Sequence, residues 1–390
     1  MPIQAEKIRQ DFEILKKGII YFDSACMSLK PRQVVEKINE YYNEYPACAG
    51  RSSHKLGKRL EHEIIIARKK IANFFNAKKP SEIIFTRNTT EAINLVARSF
   101  AFKKGDSVLI SSKEHNSNLV PWLLSGLNVK IFEFGDIGDF EKKLTTDVKL
   151  VSTVQTSNLD GTTQDIMEIA KISHKKGAKI LVDAAQSAPH KEVDARKLDV
   201  DFMACSGHKM CGPSGTGILY GKLPELEKLK PFLTGGDTVK NTTYNSAEME
   251  DIPARFEAGL QDYSGIVGFG AAVDYLKKIG LKNIEKHENE LNRIITEGLK
   301  DYVQILGPGD CSKRGGIFSF NIKGMEPHEI AGILDHSASI MIRSGMHCVH
   351  SWFNAHKING SARASLYFYN TEKEAERFVE EVKKISRIVG

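Results

Sequence analysis

Short apolar runs alternate with amphipathic stretches between about residues 60 and 220. In the stretches between the runs, apolar residues recur every three or four positions, which is the spacing of one buried helix face. This alternation predicts an α/β fold, with a mostly parallel sheet covered by helices. The predicted strands span 82–86, 107–111, 149–154, 179–183, 201–205 and 217–220, and the predicted helices span 60–75, 91–100 and 166–176.

The pattern changes after about residue 260, where amphipathic helices surround short strands. The predicted helices there span 266–279, 283–301 and 371–388, and the predicted strands span 316–322 and 339–343. We therefore predict a large α/β domain over residues 20–260 and a smaller α+β domain formed by residues 1–19 and 261–390. Residues 233–250 are rich in Gly, Thr and Asn, and we predict a long ordered loop or a partner-facing lobe without regular elements.

Composition and charge narrow the possible classes of function. The chain has 390 residues, 41% apolar and 27% charged, which is typical of a soluble globular protein. Its 55 basic and 49 acidic residues leave a net charge of +6 without a like-charge block, so no nucleic-acid partner is expected. No membrane-spanning run or signal-peptide pattern is visible, so no membrane partner is expected either. The six cysteines form no CxxC pair, which favours thiols in a reducing, cytoplasmic location.

A first polar cluster follows the predicted strand 82–86. Asn88 and Glu91 have the spacing of a capping box, and Thr89 and Thr90 place two hydroxyl groups at the start of a helix. A helix N-terminus with free amides can bind a phosphate group. Ordinary helix capping explains the same residues, so this cluster alone leaves both alternatives open.

Two more clusters follow later strands. Asp183 closes an apolar strand and is followed by Gln186, and a carboxylate in that position is costly unless a cation meets it. Lys209 follows the strand 201–205 together with Ser206 and His208, a setting that suits a lysine that binds a carbonyl compound covalently. Pyridoxal 5′-phosphate requires a phosphate site, an acid facing its ring nitrogen and a lysine amine. The three clusters together therefore indicate this cofactor.

The chain resembles the class V aminotransferase family of fold-type I pyridoxal phosphate enzymes, and within it the SUF-type (group II) cysteine desulfurases. The matching motifs extend over nearly the whole chain in the family's order. They lie at residues 21–25, 86–96, 114–118, 155–158, 182–186, 206–210, 255–259 and 343–348. The resemblance implies the fold-type I architecture, with a large domain around a mostly parallel sheet and a smaller C-terminal α+β domain.

The resemblance also implies a role for each matching residue. Lys209 would bind the cofactor covalently and shuttle the proton at the substrate Cα, while Asp183 would keep the pyridinium nitrogen protonated. His115 would stack on the cofactor ring and serve as an acid or base. The other implied cofactor-binding residues are Thr89, Thr90, Gln186, Ser206 and His208. The implied substrate-binding residues are Asn158, Arg51 and Arg363, whose guanidinium would grip the carboxylate.

Cys348 decides the reaction class that the resemblance implies. Its thiolate would attack the sulfur of a bound L-cysteine, leaving L-alanine and a persulfide that an acceptor protein takes for iron-sulfur cluster or thiolation pathways. The neighbouring His347 and Arg343 could favour the thiolate, whereas an inert buried thiol is the alternative. Because active sites of this family form between subunits, a homodimer is expected.

Other functions stay open at this point. They are a selenocysteine lyase, another class V aminotransferase or epimerase, and a non-catalytic scaffold that binds a metal or a partner through the Cys348 loop. His347, Cys348, His350 and His356 are residue types that bind zinc, but adjacent residues cannot easily face one ion, so no metal site is predicted. Leu260 stands where the family commonly has a threonine that reaches the partner subunit's cofactor phosphate, which makes that contact doubtful here.

Overall fold

The structure is a computed structural model that describes residues 3–389. Its strands are β1 (Ile20–Tyr21), β2 (Ile83–Thr86), β3 (Ser107–Ser111), β4 (Asn128–Phe132), β5 (Val148–Val154), β6 (Lys179–Asp183), β7 (Phe202–Ser206), β8 (Gly217–Gly221), β9 (Val239–Thr242), β10 (Ala247–Met249), β11 (Gln304–Leu306), β12 (Ile317–Asn321), β13 (Ile340–Met341), β14 (Arg343–Gly345) and β15 (Ser361–Ser365). Its α-helices are α1 (Ala5–Ile8), α2 (Arg32–Glu44), α3 (Lys55–Phe74), α4 (Thr89–Ser99), α5 (Val120–Leu123), α6 (Ile137–Lys143), α7 (Ile166–Lys175), α8 (Leu223–Leu226), α9 (Tyr263–Ile279), α10 (Leu281–Leu299), α11 (Pro327–Ala338), α12 (His350–His356) and α13 (Glu372–Val389). Among the described residues, no helix is long and apolar enough to cross a membrane.

A seven-stranded sheet forms the centre of the larger part of the molecule, with the strand order β2-β8-β7-β6-β5-β3-β4. Neighbouring strands from β7 to β4 are parallel, whereas β8 is antiparallel to both β2 and β7. The mostly parallel α/β sheet that the sequence pattern predicts is therefore confirmed.

Both faces of this sheet are buried. Leu109 and Val151 belong to the hydrophobic cluster on one face, while their chain neighbours Val108 and Leu150 belong to the cluster on the other. Successive side chains of a strand point to opposite faces, so a strand covered by helices on both sides has few positions for polar residues. This explains why the inner strands are mostly apolar runs in the sequence. The buried Ser152 and Thr153 of β5 are exceptions, and both are hydrogen-bonded.

A four-stranded antiparallel sheet, β11-β12-β15-β14, forms the centre of the smaller part of the molecule. Leu291 of α10, Phe318 of β12 and Phe378 of α13 belong to one hydrophobic cluster beside it. The N-terminal strand β1 pairs in parallel with β13. The smaller α+β unit is thus confirmed, while the domain boundaries at residues 20 and 260 stay a prediction.

Two parts of the chain differ from the expectation. The sequence pattern does not predict β4, because this edge strand has an exposed Asn128 and a polar Lys130 within its apolar run. The prediction that residues 233–250 lack regular elements is wrong, since β9 and β10 form an antiparallel hairpin there. Most side chains of this hairpin are exposed, so burial imposes no alternation on its sequence.

Candidate active site

A cavity of about 220 Å³ lies at the carboxyl ends of the large sheet, where ligands bind in open α/β sheets. The strand register brings the polar clusters together at this edge. Thr86 of β2 and Ser206 of β7 both pair with Gly217 of β8, and Asp183 of β6 pairs with Ala204 of β7. The segments that leave β2, β6 and β7 therefore reach the same cavity, although they are far apart in the sequence.

The N-terminus of α4 forms one wall of this cavity. Asn88 caps the helix, because its side chain accepts a hydrogen bond from the Glu91 amide at 3.0 Å. Ser206 Oγ accepts a hydrogen bond from the Thr89 amide at 2.9 Å and lies 2.7 Å from Thr89 Oγ1. A Cβ atom at Gly217 would lie 2.7 Å from the Cα of Asn88, so glycine is required for this close approach. The result is a corner of amides and hydroxyls that suits an anion.

Asp183 and Lys209 carry opposite charges inside the cavity. Asp183 is 3% exposed, and its Oδ1 accepts a hydrogen bond from the Ala185 amide at 2.8 Å. Burial raises the pKa of Asp183, while this amide and the Lys209 ammonium act in the opposite direction. Removal from water likewise lowers the pKa of Lys209, which lies in a 3₁₀ turn directly after β7. Both groups thus lack full compensation for their charge within the chain itself.

Three histidines line the cavity, and two of them, His115 and His208, face the lysine side and are neutral at neutral pH. Burial, assisted by the positive charges of Lys209 and Arg363, lowers the pKa of His115 to about 3. Burial and the nearby lysines lower the pKa of His208 to about 4. His115 Nδ1 accepts a hydrogen bond from the Ser117 amide at 3.1 Å. This bond fixes the ring at the start of the turn Asn116–Asn118 and leaves its other nitrogen available for a ligand.

Glu114 supports this turn and is a residue whose role sequence reasoning missed. It is 1% exposed, and it accepts hydrogen bonds from the Val154 amide at 2.9 Å and from Asn118 Nδ2 at 2.7 Å. Burial raises the pKa of Glu114 to about 7. The only sequence signal was its position beside His115 in the motif 114–118.

Two arginines reach the cavity from the smaller sheet, where Arg343 of β14 pairs with Arg363 of β15. Arg363 is 2% exposed and donates to the Asn158 carbonyl at 2.8 Å, while its Nε has no partner among the described residues. Both guanidinium groups lie 3.5 Å from the carboxylate of Asp23. One carboxylate between two guanidinium groups leaves an excess of positive charge, which suits an anionic ligand.

Cys348 lies on the loop between β14 and α12. His347 and Cys348 both have left-handed backbone conformations, with φ of 48° and 60°, which residues with a side chain rarely adopt. Three hydrogen bonds hold the loop: Asn158 Nδ2 to the His347 carbonyl at 2.7 Å, the Asn116 amide to the Cys348 carbonyl at 2.7 Å, and His347 Nε2 to Ser361 Oγ at 2.8 Å. The backbone is anchored in this way while the half-buried thiol faces the cavity.

The structure brings together every predicted site residue except Arg51. The residues that line the cavity are Thr89, Thr90, His115, Asn158, Asp183, Gln186, Ser206, His208, Lys209, Cys348 and Arg363. Arg51 is exposed, and its guanidinium donates to the Val239 carbonyl at 3.1 Å, outside the cavity of its own chain. Asn88 and Ser117 also line the cavity, and sequence reasoning treated them only as a helix cap and as part of a motif.

The cavity fits pyridoxal 5′-phosphate by the chemistry of its residues. The buried Asp183 suits a protonated ring nitrogen, Lys209 offers an amine, and the corner at Thr89 offers phosphate donors. Gln186 is 2% exposed, and its Oε1 has no partner among the described residues, as expected for a side chain that awaits a ligand.

The fold and the cavity together define a class of protein: an α/β protein in which a lysine, a buried aspartate and an anion corner meet at the carboxyl ends of parallel strands. The family model for aminotransferase class V matches residues 20–378. The chain belongs to this family, and the predicted fold class and the predicted cofactor, pyridoxal 5′-phosphate, are confirmed.

Known relatives extend over the whole chain. A probable cysteine desulfurase from Synechocystis is 39% identical, covering 99% of this chain and 97% of the relative. One from Methanothermobacter thermautotrophicus is 39% identical and covers 98% of each chain. Among solved structures, the apo cysteine desulfurase from Thermococcus onnurineus NA1 matches with a TM-score of 0.95 and 38% identity, covering 100% of this chain and 99% of that one.

Proposed function

We propose that this chain is a pyridoxal phosphate-dependent cysteine desulfurase, which converts L-cysteine to L-alanine and leaves the sulfur as a persulfide on Cys348. The observation that carries the proposal is that Cys348 lines the same cavity as Lys209 and Asp183. The name shared by relatives that are 35% to 39% identical over nearly the full chain supports it.

The cofactor, when bound, withdraws electrons from the substrate and so stabilises negative charge at its Cα. Lys209 would hold it covalently, and Asp183 would accept a hydrogen bond from its ring nitrogen. His115 would lie against the ring, and Gln186 would face the ring oxygen. The phosphate would be held by Thr89, Thr90, Ser206 and His208.

Arg363 would bind the carboxylate of the substrate. Its guanidinium is held by the Asn158 carbonyl at 2.8 Å, and its Nε remains available for a ligand. A guanidinium presents two parallel N–H groups to a carboxylate, which fixes the orientation of an amino acid as well as its position.

Lys209 and His115 would move protons. Because burial lowers the pKa of Lys209, a larger fraction of its amine is neutral than in an exposed lysine. A neutral amine can take the proton from the substrate Cα. His115 has a pKa lowered to about 3 and is therefore neutral, so it would hold a proton only transiently, while passing it on during the reaction.

The thiol of Cys348 would take the sulfur. The bond between the substrate's Cβ and its sulfur breaks as a bond forms between that sulfur and Cys348 Sγ, and the carbon gains a proton to become the methyl group of alanine. One cysteine and one thiol thus yield one alanine and one persulfide, with no external oxidant or reductant. The persulfide sulfur then passes to an acceptor protein. The six cysteines are unpaired, which supports a reducing, cytoplasmic location.

The decisive experiment compares Cys348→Ala with wild type. We expect the variant to bind the cofactor, seen by its absorbance, and to lose alanine production from L-cysteine. Cys48→Ala, which alters an exposed cysteine outside the cavity, is the matched control and should match wild type. Unchanged alanine production by Cys348→Ala would overturn the proposal. Selenocysteine as a second substrate distinguishes a cysteine desulfurase from a selenocysteine lyase. A selenocysteine lyase would retain turnover of selenocysteine in Cys348→Ala.

We also propose that the chain forms a homodimer. Tyr42, Leu233 and Leu260 are exposed, and hydrogen bonds connect their surroundings. Tyr42 bonds to Ser264 at 3.2 Å, and the Gly259 amide donates to Gly236 at 2.8 Å. Large exposed apolar residues that cluster on one face are typical of an interface. We expect Leu260→Glu to weaken the dimer in sedimentation velocity, whereas Ile388→Glu, at an exposed isoleucine of α13, should not.

A further inference from the structure

Two of the six cysteines line the active-site cavity. Cys26 is half-buried and lies shortly after β1, and it faces the same cavity as Cys348. The remaining cysteines do not line it: Cys48, Cys205, Cys211 and Cys311. The proposed function uses only the thiol of Cys348 and assigns no role to the thiol of Cys26.

Arg343 contacts Cys26 and lies in the strand that leads to Cys348. Its Nη1 donates a hydrogen bond to Cys26 Sγ at 2.8 Å, and its strand β14 continues directly into the loop that carries Cys348. Both sulfurs are close enough to influence the pKa values of Arg343 and Lys209. A cationic N–H donor is the kind of neighbour that reactive thiols have in proteins.

The surroundings of Cys26 are a ligand cavity with unpartnered polar groups and not a packed core. Arg363, which is 2% exposed, lines the same space with an unpartnered Nε, and Gln186 Oε1 is likewise unpartnered among the described residues. By contrast, Cys205 and Cys211 are fully buried, and burial raises the pKa of Cys211 to about 12. The fold thus distinguishes Cys26 from its structural cysteines.

We propose that Cys26 is a second sulfur-carrying thiol, which receives the outer sulfur of the Cys348 persulfide inside the cavity. This inference rests on the proposed function, because the sulfur must first reach Cys348. The Cys26 thiolate attacks the outer sulfur of Cys348–S–SH. The bond from that sulfur to Cys348 Sγ breaks, a bond to Cys26 Sγ forms, and Cys348 leaves as a thiolate. One thiol and one persulfide exchange roles, so the step needs no other reactant.

This exchange would return Cys348 to its reactive form before an acceptor protein arrives. Each chain could then store a second sulfur and release a second alanine without turnover of the acceptor. Cys26 is hydrogen-bonded to Arg343 within the cavity, where a persulfide is shielded better than on the exposed surface.

The test maps persulfides in the holoenzyme. Four proteins are compared: wild type, Cys26→Ser, Cys348→Ala and the control Cys48→Ser. Each reacts with a small molar excess of L-cysteine without added reductant and is alkylated at once. Intact-mass and peptide mass spectrometry then locate the added sulfur. We expect wild type and Cys48→Ser to carry sulfur on both Cys348 and Cys26, and to release about twice the alanine of Cys26→Ser in the first burst. Cys348→Ala should carry sulfur on neither residue.

Each other outcome has a distinct meaning. Sulfur on Cys348 alone in wild type, with equal alanine bursts in wild type and Cys26→Ser, overturns the role of Cys26 and leaves the proposed function intact. No added sulfur at all in wild type overturns the proposed function itself. Sulfur on Cys26 in Cys348→Ala would make Cys26 an independent nucleophile and overturn the relay. Sulfur on Cys348 alone in wild type is enough to overturn the relay, so that decision does not depend on the folding of a variant.

Discussion

The active-site cavity has two halves that the fold holds in different ways. The strand-end half consists of residues at or just after strands of the large sheet: Thr89, Asp183, Gln186, Ser206 and Lys209. The loop half consists of Cys26, Arg343, His347 and Cys348. In the strand-end half Thr89, Asp183, Gln186 and Ser206 are between 2% and 5% exposed, and Lys209 alone is half-buried. In the loop half His347 alone is buried, and Cys26, Arg343 and Cys348 are half-buried.

The difference corresponds to two chemical tasks. A cofactor needs a site that does not change during the reaction, and the ends of buried parallel strands provide one. A sulfur carrier must meet the substrate first and an acceptor afterwards, so its loop must be accessible. The left-handed backbone of His347 and Cys348, held by a few hydrogen bonds, fits that second task. Changes in the strand-end half should therefore abolish cofactor binding, and changes in the loop half should affect sulfur transfer.

The largest effect is expected for Lys209→Ala. Loss of the amine removes both the covalent attachment of the cofactor and the group that moves the Cα proton, so alanine production should fall by at least roughly a thousandfold. Cofactor absorbance and alanine release are the measurements. Lys222→Ala, which alters a lysine paired with Asp199 outside the cavity, is the control. A Lys209→Ala protein that keeps its activity would show that the strand-end half has been assigned wrongly.

A smaller effect is expected for Arg363→Lys. An ammonium replaces the planar fork, and the loss of one charge-assisted hydrogen bond corresponds to roughly a 10- to 100-fold rise in KM for L-cysteine. The value of kcat should change less, because the loop with Cys348 is unaltered. Arg343→Lys is the comparison. If that variant raises KM more than Arg363→Lys does, the two arginines have exchanged roles and the carboxylate binds in the loop half.

The pH dependence of stability tests how firmly the loop half is buried. Burial lowers the pKa of His347 to about 2, below the ordinary value of 6.5, so the folded protein keeps this imidazole neutral. The corresponding stability is complete above pH 6.5 and is lost as the pH falls towards 2, because the unfolded chain binds a proton that the folded chain excludes. Between pH 7 and pH 5 this amounts to about 2 kcal/mol, at 1.36 kcal/mol for each pKa unit.

Denaturant unfolding of the cofactor-free protein at both pH values checks this expectation. His347→Gln should lose less unfolding free energy than wild type between pH 7 and pH 5. His62→Gln, which alters an exposed histidine, should behave as wild type does. An identical pH dependence in His347→Gln and wild type would mean that His347 is accessible to protons in the folded state.

The smallest effect is expected for Ser361→Ala. The change removes the partner of His347 Nε2 at 2.8 Å, which costs about 1 kcal/mol of unfolding free energy and loosens the loop. Alkylation of Cys348 by iodoacetamide should become severalfold faster, while cofactor binding stays as in wild type. Ser386→Ala, at a hydroxyl that bonds only its own helix, is the control. An unchanged alkylation rate would show that this hydrogen bond does not hold the loop.

Most of the large sheet could be predicted from the sequence, because its inner strands are buried on both faces and therefore form mostly apolar runs. The edge strand β4 and the hairpin of β9 and β10 could not, because their exposed side chains are under no such constraint. Of the residues predicted for the site, all but Arg51 line the cavity. The Arg51 side chain instead donates to the Val239 carbonyl at 3.1 Å.

The sequence by itself determined which chemical groups are available: the amine of Lys209, the carboxylate of Asp183 and the thiol of Cys348, each next to an apolar run or a glycine-containing loop. Only the tertiary structure decided which of these groups meet. Pairing of Ser206 and Thr86 with the same residue of β8 places two distant clusters side by side, and a hydrogen bond from Arg343 to Cys26 brings together two residues that lie far apart in the sequence. The physical reason is that local patterns report burial and propensity, whereas the chemistry of a cavity depends on contacts between residues that are distant in the chain.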